Sequence, residues 1–485
     1  MSVSRYYDDT NPKSIEEFSQ KLIGHTFREV ESWNLYDSDN TTGSYNDKKR
    51  KGGLGNLIEE DFFGYKANSD QEADFPKAGV ELKVTPYHYT NKKDLRAGER
   101  LVLTMISYEE PVIKDFYKSH CWEKCKLILI IYYHRDKELA DNLDYPISYV
   151  KLFTPPENDL EIIKQDYQII IDKIAAGKAD ELSEADTMYL GACTKGSTAE
   201  KSTVPQKYYA PERKAMRRAF CFKNSYMTYV LNNYIAGNYE EEESILGSSR
   251  LKGKTFADII EKRISKYVGK TDKELCNIFG ITYDNNKAQW TTLSFRMLGI
   301  KSNRAAEFSK ANIVVKTIRL EENGSLRESS PLPNISFMDL IKEDVWEESE
   351  LYKYLTNTKF FFVIFQKQGD VCVLRGSQLW NISEDDLNGE VKRCWTETKA
   401  VVSEGVKWNI SMTNEKVTVS NNLPIKGENR VMHVRPHANL AYYVDKDGRT
   451  YGNGSLADTD LLPDGRRMTK QSFWLNNTYI VDQIK

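Results

Sequence analysis

The chain lacks several features that would each have decided its class. No apolar run approaches the roughly 20 residues of a membrane-spanning helix. The longest candidate, LILIIYY at 127–133, has the length of a buried strand. The opening residues, MSVSRYYDDTNPKS, hold no apolar segment like a secretion signal. The 7 cysteines are odd in number and form no Cys-x-x-Cys pair, which argues against a disulfide framework. The cytoplasm, with no membrane association, is therefore the expected address. Bulk positive charge is also missing. Lys and Arg number 68 against 71 Asp and Glu, a net charge of −3. That balance opposes indiscriminate nucleic-acid binding, yet leaves room for local basic grooves such as DKKRKGG (47–53) and PERKAMRR (211–218).

What is present is largely said twice. With 485 residues, two or three domains are expected. GHTFREV (24–30) is echoed by GKTDKEL (269–275), and LIEEDFFG (57–64) by TLSFRMLG (292–299). ADFPKAGVELK (73–83) is echoed by AEFSKANIVVK (306–316), and KLILII (126–131) by KFFFVI (359–364). IKQDYQIIIDKIAAG (163–177) and FCFKNSYMT (220–228) return as VKRCWTETKAVVSEG (391–405) and FWLNNTYIV (473–481). Matches in one order with slowly drifting offsets mark a tandem duplication. The Gly-, Ser- and Glu-rich stretch 236–255 is the expected linker, between domains at 1–235 and 256–485.

Within each half the pattern reads as α/β or α+β, a mixed central sheet flanked by helices. Residues 15–24, 54–63, 159–176 and 222–235 are expected helices, the second from the stripe Leu54, Leu57, Ile58 and Phe62. Residues 79–85, 100–107 and 126–133 are expected strands.

The strand GVELKVT is interrupted by charge. Alternation puts Glu81 and Lys83 on one face and Val80, Leu82 and Val84 on the other. Burying a carboxylate and an ammonium beside a sheet is costly unless each is paired or holds a metal. Asp74 precedes the strand across FPKAG, whose Pro76 and Gly79 suit a turn that brings it alongside Glu81. Two convergent carboxylates repel, a divalent cation relieves that, and oxygen ligands favour Mg²⁺. With Lys83 to orient or help deprotonate a water, these parts suit metal-assisted phosphodiester hydrolysis. An ordinary Glu–Lys pair on an exposed edge strand is the plain alternative. The stretch KGGLGNLIEEDFFG adds Lys51 in a Gly-rich segment before a helix carrying Glu59, though EED alone suits a solvated face.

The second half supplies an internal control. Matching offsets set Glu307 at Asp74, Val314 at Glu81, Ser294 at Glu59 and Lys316 at Lys83. A salt bridge needed by the fold should persist in both copies. Its loss in one, with the frame kept, points to one active and one retired copy.

KGGLGNLIEEDFFG … ADFPKAGVELKVTP resembles the motif of the MutH-type endonucleases of the PD-(D/E)xK nuclease fold, above all the two-domain Sau-type restriction endonucleases that cut at GATC. The resemblance spans essentially the whole chain, through ERLVLTMISYEE (99–110), LGACTKG (190–196), NIVVKT (312–317), HVRPH (433–437) and MTKQSFWLNNTYI (468–480). It implies metal-binding carboxylates at Asp74 and Glu81, a catalytic lysine at Lys83, an auxiliary acid at Glu59 and a further active-site lysine at Lys126. Ala73 stands where the motif is usually Pro. The resemblance also implies Mg²⁺, a second half that binds DNA as an allosteric effector, and functional pairing with a GATC methyltransferase.

MutH-type recognition uses an RPKA-like loop and an FYLKKN-like segment. CTKG (193–196) and FCFKN (220–224) fill those places in the first half, RPHA (435–438) and FWLNN (473–477) in the second. Lys195 and Arg435 are candidates for guanine edges or phosphates, Asn224 and Asn477 for adenine, and Lys51, Arg218 and Lys223 for DNA contact, the last two through phosphate. CTKG lacks the family's arginine. The partner is therefore double-stranded DNA with GATC sites, two of them or one shared by a transient homodimer, since one active centre per chain cannot cut both strands at once. The expected function is a type II restriction endonuclease cutting before the G. The alternatives are a MutH-like mismatch-repair nickase, which would be a single unit, and a non-catalytic GATC-binding protein, which would show losses in both halves. His120, Cys121 and Cys125 lack a fourth metal ligand, and the Asp/Asn-rich 33–49 lacks a calcium loop's Gly and closing Glu.

Overall fold

A computed structural model describes residues 6–36, 52–65, 72–90, 93–136, 138–196, 202–238, 242–247, 251, 253–284, 286–302, 304–413 and 416–484. The chain divides into two units, one of Met1–Phe256 with Arg304–Asn312, the other of Ala257–Asn303 with Ile313–Lys485. The boundary near 256 lies at the end of the expected linker. The described residues of 236–256, however, belong to the first unit, and so does a short piece of the second repeat. Among the described residues no helix is long and apolar enough to cross a membrane.

The first unit is mixed α/β. Its strands are β1 (Glu81–Tyr89), β2 (Leu95–Ala97), β3 (Leu101–Met105), β4 (Ile128–His134), β5 (Ile147–Phe153), β6 (Leu190–Thr194), β7 (Thr203–Gln206), β8 (Ala210–Met216) and β9 (Arg218–Phe222). The central sheet runs β2-β1-β4-β5, with β1 and β4 parallel and the outer pairs antiparallel. A parallel pair buried on both faces needs apolar residues at every position, and β4 complies from Ile128 to Tyr133. Helices cover the sheet. Pro12–Ser19 starts from Asn11, whose side chain accepts from the Lys13 amide. Phe27–Ser32 starts from a Thr26/Glu29 capping box. Ile15, Phe18, Leu57, Phe62, Val80, Leu82, Leu129 and Ile131 share the core beneath them. The helix Glu157–Ala175 buries Ile162, Ile163, Ile170, Ile171 and Ile174 along one stripe. A second sheet, β3-β9-β6, is wholly antiparallel, and β7 pairs with β8 in a hairpin.

The second unit repeats the plan. There β10 (Ile313–Leu320) lies parallel to β11 (Lys359–Gln368), and β12 (Val371–Trp380) is antiparallel to β11. The strands Met432–Pro436 and Gln471–Leu475 pair antiparallel, as β6 and β9 do. The expected helices and strands of the first half lie within a few residues of the observed ones. Absent from the sequence expectations were β2, β5, β6, β9, the β7–β8 hairpin and the small four-stranded sheet formed between Tyr442 and Thr469.

Candidate active site

Local chain reversal builds the site. Phe75 and Val80 exchange backbone hydrogen bonds of 2.9 and 3.3 Å across FPKAG. Gly79 has φ +65°, a left-handed conformation that side chains rarely adopt. This tight turn folds Asp74 back beside β1, where its Oδ2 accepts from the Leu82 amide at 2.8 Å. Glu81, the first residue of β1, is only 1% exposed. As alternation requires, Val80 and Leu82 enter the core, while Lys83 turns to the Glu81 side and donates from Nζ to Oε1 at 2.6 Å.

The other oxygen of Glu81 is held by a lysine that sequence reasoning did not single out. Lys124, buried on the helix His120–Cys125, donates to Oε2 at 3.0 Å and to the Glu72 carbonyl at 2.5 Å. It thus ties the turn that carries Asp74 to the strand that carries Glu81. Lys126, which the resemblance places near the active site, pairs with Glu123 at 2.5 Å, and its side chain lies against the turn at Gly79. The helix continues through Cys125, so Lys124 points down onto β1 and Lys126 lies beyond the helix end. A single sequence offers no sign that distinguishes these two lysines.

Glu59 sits on the widened helical turn Ile58–Phe62. Burial, then the charge of Asp74, pushes its carboxyl up to about 7, with Lys83 opposing. Asp74 is raised as well, by burial and then by Glu81, against the Leu82 hydrogen bond. Tyr65, also unforeseen, has a buried hydroxyl with no hydrogen-bond partner. Burial, then Asp74 and Glu59, raises its pKa. The Glu59 and Asp74 carboxyls, both harder to ionise than usual, and the unsatisfied Tyr65 hydroxyl present oxygen atoms here, while Lys83 and Lys124 already pair with Glu81. Among the described residues no three Asp, Glu, His or Cys side chains are gathered around a single point. A hard divalent cation could be held here by one or two carboxylates, with water and phosphate oxygens completing its shell. Asp74 and Glu81 are the two that would hold it.

The expected DNA-contact residues are scattered. Lys51 lies outside the described residues. Arg218 and Lys223 differ from expectation. Arg218 is 1% exposed and donates to the Ala192 carbonyl at 2.8 Å. Lys223 is buried on the carbonyls of Glu184 and Thr187. Carbonyls of the 184–187 turn take up Lys223 and a β6 carbonyl takes up Arg218, so both cations are buried on backbone oxygens. Asn224 donates to the Ala97 carbonyl at 2.8 Å. Asn477 bonds the Leu326 carbonyl and Lys426. Lys195 is half-buried just past β6. Thr194 pairs with Arg218 and Leu190 with Phe222, so Lys195 and Asn224 lie at opposite ends of the sheet. Arg435 is exposed, its guanidinium 4.3 Å from the Trp474 ring centre.

Residues 63–166, which include Asp74, Glu81, Lys83 and Lys124, match the family model described as DNA mismatch repair enzyme MutH. The chain is 33% identical over 463 residues to the type II restriction enzyme Sau3AI of Staphylococcus aureus, covering 90% of this chain and 93% of that protein. It is 24% identical to the DNA mismatch repair protein MutH of Vibrio campbellii, over 46% of this chain and 95% of that protein. For MutH of Shewanella woodyi the identity is 28%, over 40% and 80%.

Proposed function

The chain belongs to the family of type II restriction enzymes represented by Sau3AI, a site-specific deoxyribonuclease with a MutH-like nuclease unit, and from that premise we propose that it cuts both strands of DNA at 5′-GATC-3′, before the G, with Mg²⁺. The observation that carries this reading is the convergence of Asp74, Glu81 and Lys83 on one buried edge of β1. The second half we read as an effector that binds GATC without cutting. Its support is Val314, an apolar residue on β10 at the place of Glu81.

Asp74 and Glu81 would hold the ion, which supplies Lewis-acid stabilisation of charge at the scissile phosphate. The protein's own groups do the rest. Lys83 orients the attacking water from the side of Glu81. Glu59, poised near neutrality, takes up the proton that the water gives away. Lys124 holds Glu81 against the turn that bears Asp74. Arg435, stacked on Trp474, offers the second half a rigid donor for a guanine edge or phosphate. One active centre per chain implies that two chains meet on DNA, or that one chain cuts twice. A methyltransferase for GATC would protect the host.

The test is cleavage of plasmids with zero, one or two GATC sites, in Mg²⁺, in EDTA and with Glu81→Ala. Double-strand cutting that needs sites, Mg²⁺ and Glu81 is the expected outcome. Single-strand nicks alone would replace this reading with a nickase, and binding without cutting would remove the enzymatic reading.

A further inference from the structure

The piece of the second repeat that belongs to the first unit is its copy of the active-site turn. ADFPKA (73–78) forms the turn before β1, whereas AEFSKA (306–311) forms a helix, Ala306–Ala311. Serine replaces the proline, and Asn312 takes the left-handed place of Gly79, φ +49° against +65°. Two residues on this helix, Glu307 and Lys310, are buried in new bonds. Glu307, at the position of Asp74, accepts from the amides of Ile245 and Leu246 at 2.9 and 3.0 Å and from the Ser244 hydroxyl at 2.6 Å. Lys310 donates to Asp159 Oδ1 at 2.6 Å and lies 4.6 Å from the Tyr229 ring centre.

Comparison of the repeats shows what Lys310 replaces. In the second unit Asp386 accepts from the Tyr479 hydroxyl at 2.9 Å and is paired with Arg430, two residues before the strand Met432–Pro436. In the first unit Asp159 accepts equivalently from Tyr226 at 3.1 Å, but Met188 stands two residues before β6. The first unit therefore contains a buried carboxylate whose cation its own repeat does not supply. An unpaired buried charge is strongly unfavourable, so residues 304–312 are held tightly.

A continuous path runs from this helix to the catalytic strand. Tyr226 lies on the helix Asn224–Tyr229, which grips Ala97 at both polar groups. The Asn224 side chain donates to the Ala97 carbonyl at 2.8 Å, and the Ala97 amide donates to the Thr228 hydroxyl at 3.2 Å. Ala97 pairs with Tyr87 on β1, the strand of Glu81 and Lys83. At the other end, Asn312 is bonded directly to Ile313, the first residue of β10 in the second unit's central sheet.

We propose that residues 304–312 are a docking segment, made from the retired active-site turn, through which the second half controls the catalytic strand of the first. The proposal rests on the effector reading above, and names the element that carries the effect. Binding that shifts β10 pulls on the Asn312–Ile313 link, and the Lys310–Asp159–Tyr226 bonds pass the change to Ala97 and β1.

The experiment compares cleavage rates on one-site and two-site plasmids for the whole chain and for Lys310→Met and Lys310→Arg. Stimulation of the unaltered chain by a second site is expected in the range of about 5–150-fold, usual for coupled sites. Lys310→Met is expected to bring it within about twofold of unity at an unchanged one-site rate, and Lys310→Arg to restore it. Equal stimulation in Lys310→Met overturns the dock alone. An equal fall on both plasmids also overturns it, since a mere structural brace would act that way. No stimulation in the unaltered chain overturns the effector reading and the dock together. Hydrogen exchange on the unaltered chain supplies an independent readout. A GATC duplex with Ca²⁺ replacing Mg²⁺ is expected to alter exchange at the Ile245 and Leu246 amides, and unaltered exchange would overturn the dock.

Discussion

Glu59 makes the acidic cluster a pH-dependent weakness of the fold in the absence of metal. Its ordinary value is 4.5, and in the folded chain it is pushed up to about 7 by burial and by Asp74. The folded chain therefore keeps this proton where the unfolded chain has already lost it. The associated stability is fully present below pH 4.5 and disappears as pH rises through about 7. At ~1.4 kcal/mol for each tenfold difference in proton affinity, complete burial would make this about 3 kcal/mol. Glu59 is half-buried, and solvent screening lowers the figure to ~2 kcal/mol. The perturbation is Glu59→Gln, which keeps the shape and removes the titration. Urea unfolding in EDTA at pH 4.5 and at pH 8 should show the variant gaining ~2 kcal/mol on the unaltered chain at the higher pH, and little at the lower. Mg²⁺ at pH 8 should narrow the gap, because a cation favours the charged carboxylates. A gap equal at both pH values, or one that favours the unaltered chain at pH 8, would refute the reasoning.

The paired lysines separate by position. Lys124→Met removes a buried ammonium from Glu81 and should weaken Mn²⁺ binding, read by calorimetry, about 10–100-fold, whereas Lys126→Met should leave it within about twofold. Equal effects would show that the two lysines are interchangeable. Arg435→Ala should weaken binding of a GATC duplex and reduce the salt dependence by about one counterion, measured by anisotropy across a salt series. An unchanged slope would remove Arg435 from the DNA contacts.

Much of the fold and the centre of the site could be read from the sequence, for a local reason. Asp74, Glu81 and Lys83 lie within one turn and one strand, where alternation and a left-handed glycine settle which side chains meet. The internal repeat made the second unit's mixed sheet legible too, since a copied frame keeps its apolar pattern while Val314 replaces Glu81. Charged residues far apart in the chain were not legible. Lys124 and Lys126 differ by two positions, and Arg218 and Lys223 look like surface cations until β6 and β9 pair. Which lysine meets a buried carboxylate, or which arginine is taken up by a carbonyl, depends on where a helix stops and which backbone oxygens lie within reach.

The sequence by itself determined the duplication, the charged pair on its strand and the apolar residue that stands for Glu81 in the second copy, because each is written in short-range pattern. Only the tertiary structure decided that Lys124 clamps Glu81, that Glu59 holds its proton to near neutrality, and that residues 304–312 complete the first unit with Lys310 on Asp159. Those outcomes follow from desolvation, which acts on a charge only once distant segments have packed around it.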